Sequence, residues 1–171
     1  MNKSNLLKQG DNQTFSTLIE SVKVKLYKTG MAILKNDDDV CDAIQETLMA
    51  AYQKFDTLRN KDYFTTWIIR IMINKCYDLI RKNKKVVDIN QKIADTTNPY
   101  YEMYCEESEV EQILNKIDSD LKVVSILYYY DELSISEIAQ VLNIPEGTVK
   151  SRLSRARKSI SEIYQLEEGG E

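Results

Sequence analysis

The chain has 171 residues, of which 23 are Lys or Arg and 27 are Asp or Glu, and its formal net charge is −4. This length suits one ordinary domain or two small ones and excludes a large catalytic barrel. The five Gly and two Pro residues are too few for the many turns of a β-sandwich or barrel, so an all-α fold is predicted.

Residue types that support catalysis or metal binding are scarce. His is absent, which removes the usual general base and the commonest metal ligand. Cys41, Cys76 and Cys105 are far apart, form no CxxC pair and are interpreted as inert small residues. We therefore expect no metal, no cofactor and no enzymatic activity. The free cysteines, together with the absence of a signal peptide or a long apolar run, predict a cytoplasmic protein that does not insert into membranes.

Charge is unevenly distributed along the chain. Residues 1–85 carry 15 basic and 10 acidic groups, residues 86–110 carry one and six, and residues 133–166 carry five and three. The acidic stretch also contains a Pro, Asn and Thr cluster without amphipathic periodicity, which is typical of a linker. We predict two small helical domains at 1–85 and 108–166, joined by a flexible acidic linker at 86–107 and followed by an acidic tail at 167–171.

Apolar periodicity places the helices in chain order. The first domain is predicted to hold three long helices, from about residue 12 to 35, from the capping cluster at 36–38 to about 55, and from about 61 to 82. Gly30 is expected to make the first of them irregular. The second domain is predicted to hold one helix from 108 to about 131, followed by two short helices.

The two short helices form the most specific pattern in the chain, at residues 134–158. They meet at Asn143, a residue type that tolerates positive φ. Pro145 suits the opening position of the second helix, where its missing N–H would be unpaired in any case. The pattern predicts a helix-turn-helix whose second helix packs inward through Val149, Leu153, Ala156 and Ile160.

The outward face of this second helix is basic, with no acidic residue between Thr148 and Lys158. A solvated face of a bundle helix is the alternative, but the helix-turn-helix spacing in an acidic protein favours binding to duplex DNA. Early residues of such a helix reach base edges and later ones lie nearer the phosphates. The candidate DNA contacts are Thr148, Lys150, Ser151, Arg152, Ser154, Arg155, Arg157 and Lys158.

A polar stripe is predicted on the third helix of the first domain, because Arg70, Asn74, Tyr77 and Arg81 recur at helical spacing. The run Tyr63-Phe64-Thr65-Thr66-Trp67 precedes it. Aromatic rings beside cations can hold unstacked single-stranded bases. Phe64 and Trp67 could equally belong to the core, and the residues alone leave both interpretations open.

The second helix carries polar residues opposite its apolar face, namely Asp39, Asp42, Gln45 and Glu46. Periodicity alone favours a solvated face here. The functional alternative is an acidic docking surface for a protein partner.

The segments Asp39–Glu46, Trp67–Arg81, Glu137–Ala139 and Gly147–Arg157 resemble the extracytoplasmic-function (ECF) sigma factors of bacterial RNA polymerase, group 4 of the sigma-70 family. The resemblance covers nearly the whole chain in the right order. The sequence departs from the family at the turn, where Asn143 replaces Gly, and at Cys41, where an acidic residue is usual. A fainter similarity to the sigma-V subgroup lies in Trp67–Arg81 and the lysines after it.

This resemblance implies a sigma region 2 and a sigma region 4. It implies that Asp39, Asp42, Gln45 and Glu46 dock on core RNA polymerase. It implies that residues 60–81 recognise and melt the minus-10 element, and that Lys150, Ser151, Ser154 and Arg155 read the minus-35 element. It also implies an anti-sigma factor, which in this family is often membrane-anchored and would then hold the protein at the membrane.

Two other classes of function fit the sequence less well. A stand-alone helix-turn-helix regulator would need a dimerisation element or a receiver domain, and neither is apparent in residues 1–110. An enzyme is disfavoured because the sequence lacks His and phosphate-binding glycine loops. The sequence thus predicts a sigma factor that performs no bond chemistry itself.

Overall fold

The computed structural model describes the backbone of residues 3–86 and 109–168, with side chains from residue 13 onward except near the ends of these segments. Within these ranges the protein is helical and contains no strand. Most of the predicted linker, residues 87–107, lies outside the described residues, as do Ser108 and the last three residues of the tail. None of the described helices is long and apolar enough to cross a membrane.

Three helices build the first domain. Helix α1 spans Lys3–Leu34, α2 spans Asp37–Lys54 and α3 spans Phe64–Val86, with short 3-10 turns at Phe55–Thr57 and Lys61–Tyr63 between the last two. The side chain of Asn36 accepts a hydrogen bond from the Asp39 amide at 2.9 Å, which starts α2 at the predicted capping cluster. Helix α1 begins earlier than the predicted start at about residue 12, whereas α2 and α3 lie where the periodicity placed them.

Gly30 does not interrupt α1, so the predicted irregularity is wrong. A Cβ at this position would lie 2.6 Å from Met72 Cε and 2.9 Å from Val40 Cγ1. The glycine is needed for the close approach of α1 to α2 and α3, because any side chain would enter the space that these two residues fill.

The second domain begins with a broken helix rather than the predicted single helix from 108 to 131. Helix α4 spans Glu109–Asn115, α5 spans Ser119–Ser125, and a π-helical turn covers Ile126–Tyr130. Asp118 has extended backbone geometry, and its carbonyl accepts from the amides of Leu121 and Lys122 at 2.9 Å. The chain therefore restarts as a new helix at this aspartate, although no Gly or Pro marks the break.

The helix-turn-helix follows as α6, Ile135–Leu142, and α7, Glu146–Glu168. Only α6 is short as predicted, because α7 continues for 23 residues. Ser134 and Glu137 form a capping box at the start of α6. Asn143 has φ 53° and ψ 48°, which confirms the predicted left-handed turn. Pro145 lies one residue before α7 rather than in its first position, and its carbonyl accepts from Thr148 and Val149.

The two domains pack against each other around a shared hydrophobic core. Leu26 and Ile69 of the first domain belong to the same buried cluster as Leu127 and Ile138 of the second. We call this packing the closed arrangement. Because it brings α3 against α6 and α1 against residues 119–130, it places the predicted DNA-binding surfaces of the two domains close together.

Candidate functional site

Helix α7 presents the side chains that the sequence predicted for duplex DNA. Val149, Leu153 and Ala156 are at most 2% exposed and anchor the helix in the core. The exposed side of its first three turns carries Lys150, Ser151, Ser154 and Arg155. The predicted orientation of the helix is thus confirmed, and it leaves two cations and two hydroxyl groups facing outward.

The other members of the predicted minus-35 set are held by neighbouring residues. The Arg152 guanidinium is 2.5 Å from the Asp120 carboxylate of α5, and its side chain is only 22% exposed. Arg157 donates to the Tyr129 hydroxyl at 3.2 Å, so it lies beside the π-helical turn. The geometry therefore gives Arg152 a structural role in joining α7 to α5, which a list of basic residues on one helix could not reveal.

Two further members lie at the ends of this surface. Thr148 is half-buried in the first turn, and its carbonyl accepts from Ser151 Oγ at 2.9 Å. Lys158 is exposed and pairs with Glu162 one turn later, at 3.7 Å. Such an exposed pair is weak, so Lys158 can exchange this carboxylate for another anion at little cost.

The polar stripe on α3 is present as predicted. Arg70, Asn74, Tyr77 and Arg81 are exposed, while Ile69, Met72, Ile73 and Cys76 are buried on the opposite side. Arg81 forms an ion pair with Asp78, one turn earlier. Burial raises the pKa of Tyr77, and Asp120 raises it further, which places this tyrosine near the second domain.

The aromatic run before α3 divides into core and surface. Phe64 is 2% exposed and lies between the rings of Phe15, Phe55 and Trp67 at centroid distances of 5.8–6.2 Å. Its ring therefore belongs to the core and cannot stack on a base in the closed arrangement. Tyr63 is 60% exposed, so it is the aromatic side chain of this run that faces solvent, whereas Trp67 and Thr65 are half-buried.

The acidic face of α2 lies opposite its buried side, which contains Val40, Ala43, Thr47 and Ala51. Asp42 and Gln45 are exposed, and Asp39 is partly so. Glu46 is 3.0 Å from the Lys75 ammonium and 4.0 Å from that of Lys82, so its charge is shared with α3. Met49, one turn further along, is 65% exposed and extends this face with an apolar end that the acidic pattern did not indicate.

Cys41 lies beside this face but is not a reactive thiol. Burial raises its pKa, and Asp37, Asp38 and Asp42 raise it further. Burial raises the pKa of Cys76 to about 12. Both thiols are therefore protonated at neutral pH, which agrees with their interpretation as inert residues.

The contacts between the domains include polar residues that sequence reasoning missed. Thr66 donates to the Glu137 carboxylate at 2.7 Å, and Thr29 donates to the buried Asp131 carboxylate at 2.9 Å. Each pair joins residues more than 70 positions apart. No local pattern connects such residues, so sequence periodicity could not reveal these contacts.

Comparison with known families matches both halves of the chain. Residues 18–86 match the model of sigma-70 region 2, and residues 107–160 match that of sigma-70 region 4. Together with the helix-turn-helix and the three-helix domain, these matches define a sigma-70 type protein.

The chain is 30% identical over 169 residues to the ECF RNA polymerase sigma factor SigW of Bacillus subtilis (strain 168), with 90% of each chain covered. It is 27% identical to SigV of the same strain, over 88% of this chain and 91% of SigV. The chain therefore belongs to the ECF RNA polymerase sigma factors. Since SigV is less similar than SigW, membership of the sigma-V subgroup stays a prediction.

Solved structures share the fold. The sigma factor RpoE from Bartonella quintana, in complex with the anti-sigma factor NepR, superposes with a TM-score of 0.68 at 23% identity, over 91% of this chain and 96% of that one. CnrH, in complex with the cytosolic domain of CnrY, superposes with a TM-score of 0.63 at 26% identity, over 92% of each chain.

Proposed function

We propose that the protein binds core RNA polymerase in the cytoplasm and directs it to promoters that contain matching minus-10 and minus-35 elements. The observation that carries this proposal is the combination of an exposed basic recognition helix and an exposed acidic helix face on separate domains of one chain. A DNA-binding protein that acts alone needs the first surface but has no use for the second.

Duplex recognition is assigned to the exposed side of α7. Lys150 and Arg155 project from its early turns, where a helix lying in the major groove reaches base edges. Ser151 and Ser154 stand between them and can donate to or accept from either strand. Arg157 and Lys158 come later on the helix and would contact phosphates, which supplies affinity without sequence choice.

Capture of single-stranded minus-10 DNA is assigned to α3 and the turn before it. Arg70 and Asn74 supply a cation and an amide on one exposed stripe, and Tyr63 supplies an exposed ring on which a base can stack. Tyr77 and Arg81 extend the stripe. Phe64 supports this surface from the core.

Docking on polymerase is assigned to the α2 face formed by Asp39, Asp42, Gln45 and Glu46, with Met49 at its end. Acidic side chains beside an exposed apolar residue resemble a protein interface, in which charge steers the encounter and apolar contact adds affinity. A basic, partly apolar patch is the complementary partner surface.

An anti-sigma factor is the further partner proposed. The structurally similar sigma factor RpoE is described in a complex with the anti-sigma factor NepR, and this chain shares its fold. Where that partner is membrane-anchored, the protein would be held at the membrane without inserting into it.

In-vitro transcription from a random promoter library, with core polymerase and the full chain, tests this function. Transcripts should start downstream of a shared pair of sequence elements and disappear when the protein is omitted. Asp42→Arg should strongly reduce their amount, whereas Asp56→Arg, the same change at an exposed position just beyond α2, should not. Specific DNA binding without polymerase-dependent transcripts would refute the proposal.

A further inference from the structure

One face of α1 contacts three consecutive residues of the second domain. The Lys25 ammonium donates to the Asp131 carbonyl at 3.2 Å and lies 3.8 Å from the Glu132 carboxylate. One turn later, the Thr29 hydroxyl donates to Asp131 Oδ2 at 2.9 Å. These polar contacts cross the boundary between the domains at a single point.

Lys28 adds a cation–π contact at the same point, because its ammonium lies 4.3 Å from the centroid of the Tyr130 ring. Three residues of α1 within five positions therefore bind residues 130–132. The acidic and aromatic groups all belong to the second domain and the cations to the first, so the two surfaces are complementary in charge.

The Asp131 carboxyl group is the unusual member of this cluster. The residue is 2% exposed, and Oδ1 is buried without a hydrogen-bond partner. A buried carboxylate with one unpaired oxygen is costly, and protonation removes most of that cost. Burial raises the pKa of Asp131 to about 7, against the opposing effects of the Thr29 hydrogen bond and the Lys25 charge.

We propose that the contacts of Lys25, Lys28 and Thr29 with residues 130–132 form a latch that holds the closed arrangement, and that Asp131 is its switch. When the Asp131 carboxyl group is neutral, the latch holds. When it is ionised, burial of the charge favours separation of the domains, which returns the carboxylate to water.

The latch matters for DNA binding if the proposed function is correct. Minus-10 and minus-35 elements lie about 25 base pairs apart, or roughly 85 Å of duplex at 3.4 Å per pair. In the closed arrangement, Tyr77 of the α3 stripe lies near the second domain: burial raises its pKa, Asp120 raises it further, and the charge of Arg152 on α7 opposes this increase. The two surfaces cannot meet both elements from this position, so the domains must separate before a promoter is bound.

Charged groups on the other elements of the second domain that pack near this point have partners of their own. On α5, Asp120 pairs with Arg152, and Lys122 donates to Asn115. On α6, Glu137 accepts from Thr66 and Ser134. Glu132 is mostly exposed. Lys25 and Lys28 are therefore the cations that face this point from α1, and Lys25 is the one that acts on the Asp131 carboxyl group.

The direction of the pH effect follows from proton linkage. A solvated aspartate has a pKa of about 4, so the closed arrangement binds more protons than the open one between that value and about 7. Raising the pH through this window should increase the ratio of open to closed molecules by up to about tenfold per pH unit. Above this window the ratio should stay constant.

Single-molecule fluorescence energy transfer on the full chain measures this ratio directly. Dyes are attached at the exposed positions Gln53→Cys and Gln165→Cys in a chain whose native cysteines are replaced by Ser. The ratio of open to closed molecules should rise at least about tenfold between pH 5 and 7.5. Asp131→Asn, which stays neutral, should remove this rise and be more closed than the parent chain at pH 7.5.

Two more variants make the test specific. Thr29→Val keeps the side-chain volume but removes the hydrogen bond, so it should be more open at both pH values. Glu162→Gln changes the same charge at an exposed site of α7 and should behave like the parent chain.

A parent chain whose open fraction is constant between pH 5 and 7.5 overturns the proposal, as does an Asp131→Asn chain that keeps the parent's pH response. If Asp131→Asn does not fold, a Thr29→Val chain as closed as the parent overturns it instead. The fluorescence readout needs neither polymerase nor DNA. A chain that opens with pH but never binds core polymerase would therefore refute the proposed function and leave the latch intact.

Discussion

Thr66 of α3 donates a 2.7 Å hydrogen bond to the Glu137 carboxylate of α6, and this carboxylate also accepts from the amide and hydroxyl of Ser134. The group that caps the first helix of the helix-turn-helix is thus also bonded to the first domain. These hydrogen bonds lower the pKa of Glu137, the Thr66 bond most strongly. The orientation of the helix-turn-helix relative to α3 is therefore coupled to a helix cap.

Thr66→Val tests this coupling. The pKa of Glu137 should rise towards its ordinary value, and the free energy of unfolding at pH 7 should fall by about 1 kcal/mol. A carboxyl group whose pKa is lowered in the folded state stabilises the fold at pH values above its ordinary pKa of about 4.3. This contribution is lost as the pH falls. The difference from wild type should therefore shrink in acid.

Urea unfolding at pH 7 and pH 3, with Glu137 titrated by NMR, measures both effects. Thr65→Val, the adjacent half-buried threonine, is the control and should leave the pKa of Glu137 unchanged. An unaltered Glu137 titration in Thr66→Val would show that the hydrogen bond does not govern this carboxylate.

Asp42→Arg tests the acidic face of α2. Asp42 is exposed on the side opposite the core, so reversal of its charge should weaken binding to core polymerase at least about tenfold through repulsion from a basic partner surface. The circular dichroism spectrum should not change. Asp56→Arg controls for net charge. Equal affinity of the two variants for core polymerase would show that this face of α2 is a solvated surface and not a docking site.

The positions of α2, α3 and α6 and the orientation of α7 were predictable because their signals are local. Val149, Leu153 and Ala156 recur at helical spacing, and Asn143 suits a left-handed turn by its own chemistry. The break at Asp118 was missed because neither Gly nor Pro marks it. The contact of Thr29 with Asp131 depends on the packing of two domains, and no periodicity within either helix encodes such a contact.

Tyr63 and Phe64 are neighbours with different expected roles, and replacing each by Ala separates them. Tyr63→Ala should impair promoter opening, seen by permanganate footprinting. Its free energy of unfolding should stay within about 0.5 kcal/mol of the parent's because the ring is exposed. Phe64→Ala should cost about 3–5 kcal/mol of folding free energy, because it empties a site among three other aromatic rings. Normal melting of the promoter by Tyr63→Ala would remove this tyrosine from the proposed DNA surface.

Gly30 and Gly147 provide a matched pair for a packing prediction. A methyl group at Gly30 meets Met72 Cε at 2.6 Å and Val40 Cγ1 at 2.9 Å, whereas nothing lies within 4 Å of one at Gly147. Gly30→Ala should lower the free energy of unfolding by about 1–3 kcal/mol from overpacking, after a partial gain in helix propensity. Gly147→Ala should be neutral or stabilising. Thermal unfolding of both variants checks this, and equal melting temperatures would mean that the core yields to the methyl group.

Substitutions of the basic residues of α7 should have three different effects. They are measured as the affinity of the full chain, assembled with polymerase, for matched and scrambled minus-35 duplexes. Arg155→Ala should cost about 1–3 kcal/mol on the matched duplex and relax discrimination, because an exposed arginine early on the helix can pair with a guanine edge. Lys158→Ala should weaken both duplexes alike and reduce the salt slope by about one, as expected for a phosphate contact.

Arg152→Ala should lower stability instead, since it leaves Asp120 unpaired between α5 and α7. Its partner supplies the matched control. Asp120→Asn should reproduce the loss of stability without altering discrimination between the duplexes, because it breaks the same ion pair and leaves every cation of α7 in place. If Arg152→Ala instead relaxes discrimination as Arg155→Ala does, this guanidinium leaves Asp120 to reach DNA. If Arg155→Ala and Lys158→Ala lose affinity equally on both duplexes, α7 is a basic surface without sequence choice.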